Sequence, residues 1–188
     1  VGLRQTYVDA RGTMQYSYDE RDRLVSRTDP DGTSISYTYD AAGNRTSLTT
    51  PAGTTSFTFD VLNRLDTVID PQNGVTDYTY DAVSNLIRTD LPNGSRETRT
   101  YDTLNRLTFL ENRGASDIIS SYRYTLSPTG RRDAVLENTG RRVNYSYDAL
   151  DRLTREAATD AAFGDRTFDY TYDPVGNRLT RSDSVEGL

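Results

Sequence analysis

The sequence predicts an all-β protein, built as a repetitive antiparallel strip of β-hairpins with about 21 residues in each unit. Three observations predict this fold class. A motif of aromatic, any residue, aromatic and Asp recurs along the chain; turn sequences recur half a period away; and polar and apolar residues alternate in the segments between them. We therefore expect residues 1–188 to form a single array of about eight repeats.

The aromatic-x-aromatic-Asp motif, called the repeat signature below, marks the end of every second predicted strand. Its second aromatic position recurs at intervals of 20 to 25 residues. The fifth copy has Arg99 in place of the first aromatic residue, and the sixth has Thr125 in place of Asp. The signature residues are Tyr16, Tyr18, Asp19, Tyr37, Tyr39, Asp40, Phe57, Phe59, Asp60, Tyr78, Tyr80, Asp81, Tyr101, Asp102, Tyr122, Tyr124, Tyr145, Tyr147, Asp148, Tyr170, Tyr172 and Asp173.

A second series of turns lies half a period from the signatures. Pro sets φ early in a turn and Gly accepts the left-handed conformation later, so a sequence such as Asp29-Pro30-Asp31-Gly32 predicts a chain reversal. Later copies lose the Pro, as in 111–114 and 137–140. The predicted turn glycines are Gly32, Gly53, Gly74, Gly94, Gly114, Gly140 and Gly164. Each unit therefore has two turns and two short strands.

The segments between the turns have the period of β-strands. In the segment 33–39, Ile35, Tyr37 and Tyr39 share one face, while Ser and Thr residues occupy the other. The segment that leaves each signature also alternates and begins with Leu, as at Leu65. No segment has a sustained helical period. One unit has too little apolar surface to fold alone, so neighbouring units must stack.

The repeated Asp has a local structural explanation. An Asp carboxylate can accept the backbone N–H two residues further on, which forms an Asx turn and reverses the chain. The residues that follow, such as Gly43-Asn44 or Asn63-Arg64, are typical of turns. Calcium binding and carboxylate catalysis are the weaker alternatives for these Asp residues.

Composition excludes several classes of function. Without His or Cys, the chain has no Ser-His or Cys-His catalysis, no zinc site with those ligands and no disulfide. Gly-rich phosphate loops are absent, and the acidic pairs match no catalytic spacing. We predict no catalytic residues, no cofactor-binding residues and no metal ligands. The chain is predicted not to be an enzyme.

All 22 basic residues are Arg, in a chain with a net charge of −6. Codon bias is the simplest explanation, and stacking on Tyr or pairing with Asp is the secondary one. The Arg residues are dispersed, and the pI is about 4.7, so we expect no nucleic-acid partner. No apolar run has the length of a membrane span, so we expect no membrane insertion by this segment.

The signature and its turn resemble the YD repeat of the RHS family, most plainly in Tyr170 to Leu179. Bacterial polymorphic toxins, toxin-complex subunits and teneurins carry this repeat. The resemblance implies a strip that spirals into a hollow shell, which in the bacterial toxins encloses a separate C-terminal toxic domain. It also implies a secreted or cell-surface protein. Since complete shells are far longer, we expect this segment to be part of a longer chain.

Two places depart from the family pattern or invite a different interpretation. Asp29-Pro30-Asp31-Gly32 has the form of the family's Asp-Pro-x-Gly cleavage motif. It lies at a repeat turn with no core region after it, so we interpret it as a turn. In the sixth unit, 126–130 lengthens the turn, and we expect a bulge or a protruding loop there.

The resemblance and the lack of catalytic groups together predict a structural function. We expect a shell or scaffold segment whose partners are the rest of its own chain and an enclosed toxin or other cargo polypeptide. The alternative is a cell-surface adhesion or carbohydrate-binding module, in which the Tyr faces stack on sugar rings. A Tyr stripe that packs as a core or an inner wall is the more ordinary explanation.

Overall fold

A computed structural model describes residues 2–185. Val1 and Glu186 to Leu188, with which the predicted array begins and ends, lie outside them. The described residues form 17 β-strands and no helix, and the paired strands are antiparallel, which confirms the predicted fold class. The strands are β1 Thr6–Asp9, β2 Gly12–Tyr18, β3 Leu24–Thr28, β4 Ser34–Tyr39, β5 Arg45–Thr50, β6 Gly53–Phe59, β7 Leu65–Ile69, β8 Val75–Tyr80, β9 Leu86–Asp90, β10 Arg96–Tyr101, β11 Leu107–Arg113, β12 Ile118–Leu126, β13 Arg132–Glu137, β14 Arg142–Tyr147, β15 Leu153–Thr159, β16 Arg166–Tyr172 and β17 Arg178–Asp183.

The contacts divide the strands into two compact units. The first comprises residues 1–79 and 89–93, and in its described part the strands β1 to β8 pair in chain order. The second comprises residues 80–88 and 94–188, and in its described part β10 to β17 pair in chain order. Each unit is therefore a simple meander of hairpins, as the alternation of strand and turn sequences predicts.

The signature sets where strands end and begin. Tyr18 and Tyr39 are the last residues of β2 and β4, and the Asp that follows each of them lies in the turn. The predicted Leu residues open the return strands, as Leu24 does in β3 and Leu65 in β7. Strand boundaries thus coincide with the motif because its Asp leaves the ladder to bond its own turn.

A β-bulge follows the signature turn in each of these hairpins. Thr38 pairs with Ser47, but Tyr39 pairs with Arg45, so Thr46 is the extra residue of the backbone ladder, although its hydroxyl lies 2.8 Å from that of Thr38. The same shift occurs at Tyr18, Phe59, Tyr101, Leu126, Tyr147 and Tyr172. A bulge strengthens the local right-handed twist of the sheet. The sequence predicts a bulge or a protruding loop only in the sixth repeat, so the bulges of the other repeats are a finding of the structure.

Each meander is a single layer with two accessible faces. The buried apolar residues among those described are Met14, Ala134, Val135, Val143 and Ala158. No large side chain of residues 2–185 is fully buried. Most strand residues are half-buried, because a neighbouring strand covers them only from the side. Stability must therefore come from contacts along the strip.

Candidate functional site

The signature turns are the most regular polar feature of the molecule. In the first turn, Asp19 Oδ1 accepts the backbone N–H groups of Arg21 and Arg23, at 2.9 and 3.0 Å. Asp19 Oδ2 accepts Arg23 Nε–H at 2.7 Å. The backbone closes the turn with the Asp19 N–H donated to the carbonyl of Arg23. Both carboxylate oxygens are therefore occupied by donors of the same turn.

Asp60, Asp102 and Asp148 repeat this arrangement with the Arg four residues further on, each at 2.7 Å from Arg Nε. Where Asn takes the place of that Arg, its side-chain amide donates instead. The Nδ2 of Asn44 lies 2.9 Å from Asp40 Oδ2. Asp81 and Asp173 form the same amide bond with the Asn four residues further on. Within the turn, Arg and Asn thus have the same role, because each donates one hydrogen bond to Asp Oδ2.

The third residue after the Asp has a left-handed backbone conformation in every signature turn, and in the sixth repeat the third residue after Ser127 has it. This conformation is disfavoured for most L-residues, and Gly, Asn and Asp adopt it most readily. The residues with this conformation are Asp22 (φ 61), Gly43 (φ 99), Asn63 (φ 58), Ser84 (φ 72), Asn105 (φ 59), Gly130 (φ 92), Asp151 (φ 58) and Gly176 (φ 98). The variable Gly, Asn, Ser or Asp in the motif therefore has one backbone role.

These hydrogen bonds lower the pKa of the signature carboxylates. For Asp19, Asp60, Asp102 and Asp148, the backbone N–H of the Arg four residues on is the largest cause, and the Arg side chain adds to it. For Asp40 and Asp173, the Asn side-chain amide lowers the pKa most. A carboxylate that stays ionised and fully hydrogen-bonded is a poor general acid or base at neutral pH.

The same Arg residues also tie one repeat to the next. Arg23 Nη1 donates to the carbonyl of Asp40, at 3.1 Å, and its guanidinium lies 4.5 Å from the centre of the Tyr39 ring. In the second compact unit, Arg152 makes the equivalent contacts: its Nη1 lies 2.9 Å from the carbonyl oxygen of Asp173, and its guanidinium lies 4.9 Å from the ring centre of Tyr172. One guanidinium therefore binds its own turn, the next turn and the next aromatic ring. Lys has no comparable set of donors.

The second aromatic residue adds another tie between repeats. The Tyr39 hydroxyl donates to the carbonyl of Leu24, the first residue of the preceding return strand, at 2.8 Å. Tyr101, Tyr147 and Tyr172 make the equivalent bonds to Leu86, Arg132 and Leu153. A Phe at this position, as at Phe59, cannot form the bond. A Tyr at the second position therefore joins the repeats through its hydroxyl as well as through its ring.

In the first compact unit, the turns at the edge opposite the signature turns have contacts between Gly and Pro. A Cβ added to Gly53, whose φ is +126°, would lie 2.6 Å from Cβ of Pro71. One added to Gly12 would lie 2.9 Å from Cβ of Pro30. Each pair is separated by 18 residues of sequence, so a Pro in one turn packs on a Gly in the preceding turn. The sequence predicts the turns but not this stacking.

The sixth unit aligns differently from its sequence-based assignment. Tyr122 and Tyr124 were predicted as its two aromatic positions, with Thr125 replacing Asp. In the structure, β12 extends to Leu126, which has the bulged pairing of the other second aromatic residues. Ser127 then takes the place of Asp: its Oγ accepts the N–H of Arg131 at 3.0 Å, and its N–H donates to the carbonyl of Arg131.

The turn of the sixth unit therefore has the ordinary length, and no loop protrudes there. The extra residues are in the longer strands β11 and β12 and in the turn between them. That turn closes with the Gly114 N–H donated to the carbonyl of Asp117, so the predicted turn at 111–114 is displaced. Among the other predicted turn glycines, Gly32, Gly53, Gly94, Gly140 and Gly164 have positive φ, and Asn73 has it in place of Gly74.

The signature aromatic residues are half-buried and lie against guanidinium groups. Arg132 lies 4.6 Å from the ring centre of Tyr124, and Arg131 lies 4.5 Å from that of Tyr147. Phe168, two residues before the signature of its repeat, is covered in the same way by Arg181 at 4.2 Å and by Arg166 at 4.8 Å. From composition alone, codon bias is the simplest explanation for the exclusive use of Arg. The structure shows in addition that Arg side chains stack on aromatic rings and pair with Asp.

The opposite face carries many hydroxyl groups. The residue between the two aromatics is Ser or Thr in most signatures and is exposed in each of them. These hydroxyls pair across strands, as Thr38 does with Ser47 at 2.6 Å and Thr171 with Thr180 at the same distance. Charged residues lie on the same face, since Asp66 accepts a hydrogen bond from the Thr58 hydroxyl and Arg155 pairs with Asp169 across two strands. The face is therefore polar.

The acidic side chains of the described residues are dispersed along the strip. Between residues 2 and 185, no three acidic side chains gather in a group that could hold a metal ion. No helix in this range is long and apolar enough to cross a membrane. The regular chemistry of the molecule is thus the ties between repeats and two accessible faces of different character.

Comparison with known proteins supports the repeat assignment. The RHS repeat family model matches in three overlapping copies, at residues 1–34, 18–55 and 39–75. No curated protein matches the chain by sequence. The remaining units carry the same turn geometry as the matched ones, as the Asp148 and Asp173 turns show.

Several solved structures have a similar fold. TcdB2-TccC3-TEV matches with a TM-score of 0.75 and 17% identity, over 96% of this chain and 12% of that chain. TcdB2-TccC3-Cdc42 matches with a TM-score of 0.76 and 17% identity, over 98% and 12%. The Photorhabdus luminescens Tc holotoxin pore, in a variant of TccC3, matches with 0.74 and 16%, over 92% and 11%. The chain thus spans about an eighth of the length of these structures, and the likeness shows the fold.

Proposed function

We propose, from the premise that this chain is built of RHS repeats, that it forms a segment of the wall of a hollow shell. The rest of its own longer chain would complete the shell. The enclosed partner would be a toxin or another cargo polypeptide, and the protein would be secreted or held at the cell surface. The role is mechanical, and the proposal includes no catalytic step and no cofactor.

The observation that carries this proposal is the set of ties between successive repeats. At the signature edge, the Arg23 guanidinium joins two turns, and the Tyr39 hydroxyl joins two strands. At the other edge of the same unit, Pro71 packs on Gly53. A single-layer sheet without a packed core needs such ties to hold its shape, and a wall that excludes solvent and proteases needs a continuous sheet.

The adhesion or carbohydrate-binding alternative has less support. A sugar-binding platform needs an exposed aromatic ring that a sugar can cover. The rings of Tyr39, Tyr124 and Phe168 already lie beneath guanidinium groups, and the hydroxyl of Tyr39 is bonded within the strip. Stacking sites on this face are therefore largely occupied by the protein's own side chains.

The mass of the natural full-length protein, measured under native and then denaturing conditions, tests the proposal. We expect one particle under native conditions and a second, cleaved polypeptide that is released only on denaturation. A single intact chain in both states would contradict encapsulation of a cleaved cargo. A glycan array then tests the alternative, with a Tyr124→Ala variant as the control for stacking on the aromatic face.

A further inference from the structure

The chain has two Asn–Gly pairs, and both lie in turns that alternate with the signature turns. They are Asn73-Gly74 and Asn93-Gly94, and both Asn residues are exposed. Asn is a chemically labile residue, and a following Gly makes it more so, because the next backbone nitrogen then has no side chain beside it. The dipeptide is the same in both places, so a difference in reactivity between them has to come from the structure.

Deamidation of Asn joins two groups of the same dipeptide. The backbone nitrogen of the Gly attacks Cγ of the Asn, a bond forms between these two atoms, and the side-chain amide leaves with the proton of that nitrogen as ammonia. Water then opens the five-membered succinimide ring, at one carbonyl to give aspartate and at the other to give isoaspartate. The reaction thus needs only water, a nitrogen that can lose its proton and a backbone that can rotate.

The structure withholds both of these conditions from Asn73. The backbone N–H of Gly74 donates to Asp70 Oδ1 at 2.8 Å, and its carbonyl accepts the Asp70 N–H at 2.9 Å. A carboxylate at this distance disfavours the negative charge that the nitrogen has to carry in order to attack. Gly74 is also enclosed, because an added Cβ would lie 2.5 Å from Asp70 Oδ2 and 3.1 Å from Cβ of Pro92.

Gly94 lies in a more open environment. Apart from its chain neighbours, Cβ of Ala115 is the only described heavy atom within 4 Å of a Cβ added to Gly94, and it lies 3.9 Å away. Gly94 has φ of +78°, in a region that Gly enters and leaves without steric cost. The turn residues 91–94 are all exposed. The Gly94 nitrogen can therefore reach the Asn93 side chain with less rearrangement than the reaction needs at Asn73.

We propose that Asn93 is a site of spontaneous deamidation in the folded protein and that Asn73 is protected from it. The modification replaces a neutral amide by a carboxylate and adds one negative charge to a chain whose net charge is −6. The isoaspartate product also lengthens the main chain beside Pro92, which packs on Gly74. Deamidation of Asn93 thus acts on the stacking of turns that holds the strip together.

An earlier turn shows how the aspartate product fits. Asp29-Pro30-Asp31-Gly32 has the same order of Pro and Gly as residues 91–94, and Asp31 has the place of Asn93. Oδ1 of Asp31 accepts the backbone N–H of Thr33 at 2.8 Å, and Gly32 has φ of +85°. Aspartate at position 93 is therefore compatible with this turn, so the strip tolerates it better than isoaspartate.

Peptide mapping by mass spectrometry, after incubation of the folded chain at mildly alkaline pH, tests the inference. Each deamidation replaces NH₂ by OH and changes the mass of one identified peptide. We expect Asn93 to react at least about tenfold faster than Asn73 in the folded chain. In concentrated urea, where neither turn is formed, the two rates should agree within about threefold. Equal rates in the folded chain, or a faster reaction at Asn73, would overturn the inference.

Asp70→Ala tests the cause of the protection. The variant removes the carboxylate that holds the Gly74 N–H, so it should raise the rate at Asn73 at least about fivefold and leave the rate at Asn93 unchanged. Asp66→Ala is the matched control, because Asp66 is exposed, lies on β7 and contacts the Thr58 hydroxyl instead of a turn. Circular dichroism verifies that both variants are folded. An unchanged rate at Asn73 in Asp70→Ala would refute the assigned protection, and none of these outcomes bears on the shell proposal.

Discussion

The contact between Gly53 and Pro71 gives the sharpest test of how the repeats are held together. We consider Gly53→Ala. The new Cβ would lie 2.6 Å from Cβ of Pro71, a separation that the rigid ring cannot relieve by rotating a side chain. In addition, Gly53 has φ of +126°, which Ala adopts only with strain. The substitution therefore perturbs both the turn itself and its contact with the next repeat.

The expected loss of stability follows from these two contributions. A left-handed backbone costs an L-residue about 1–2 kcal/mol. Overpacking against a rigid neighbour costs about 1–3 kcal/mol. Gly53→Ala should thus lower the free energy of unfolding by about 2–5 kcal/mol. Gly32→Ala is the control, because Gly32 has φ of +85° but nothing within 4 Å of its added Cβ, and it should cost only about 1–2 kcal/mol.

Urea denaturation followed by far-UV circular dichroism measures the difference between the two variants. Hydrogen exchange of the amides in β5 and β6 locates it, because in a repeat protein a local defect weakens its own neighbourhood first. If Gly53→Ala and Gly32→Ala cost the same, then the contact with Pro71 does not constrain the strip, and the argument for stacking at this edge fails.

Three further predictions follow from the signature turns. Tyr39→Phe removes the hydrogen bond to Leu24 and should lower the free energy of unfolding, measured by urea denaturation, by about 0.5–1.5 kcal/mol. Tyr37→Phe is the control and should lower it less, because within residues 2–185 the Tyr37 hydroxyl has no hydrogen-bond partner. The pKa of Asp40 is lowered in the folded chain, so its ionised form stabilises the fold above the ordinary value of 3.8 and this contribution is lost as the pH falls below it. Asp40→Asn should therefore have a lower melting temperature than the wild type at pH 7, and the difference should shrink in acid. Thermal melts at both pH values measure this difference. A difference no larger than that caused by Asp66→Asn, at an exposed position, would contradict the prediction. Chelation with EDTA should leave the melting temperature unchanged, because donors of the same turn occupy the signature carboxylates, and a drop on chelation would revive the calcium alternative.

Much of the fold could be predicted because its signals are local. The Asx turn at Asp40 depends on residues within four positions, and the return strand at Leu65 begins where alternation resumes. The bulge at Thr46 could have been found from the turn, since an Asp-to-Arg or Asp-to-Asn span of fixed length shifts the register.

The sequence predicts the wrong signature positions in the sixth repeat, because different residue types have the roles of the aromatic residue and the Asp there. Leu126 takes the place of an aromatic ring, and the hydroxyl of Ser127 accepts the N–H that a carboxylate accepts elsewhere. Tyr122 and Tyr124 have the spacing of the two signature aromatic residues, but they lie two residues before the positions that have this role in the structure. Gly130, which has the left-handed conformation three residues after Ser127, is the feature that would have given the correct alignment.

The sequence by itself determined the period, the strand and turn alternation and the chemistry of each turn, because these depend on residues close together in the chain. Only the tertiary structure decided which distant groups meet. Pro71 packs on Gly53, 18 residues earlier, and the Tyr39 hydroxyl reaches the carbonyl of Leu24, 15 residues earlier. These contacts depend on the register and twist with which hairpins stack. A local pattern of residues does not specify that register, and the paired strands do.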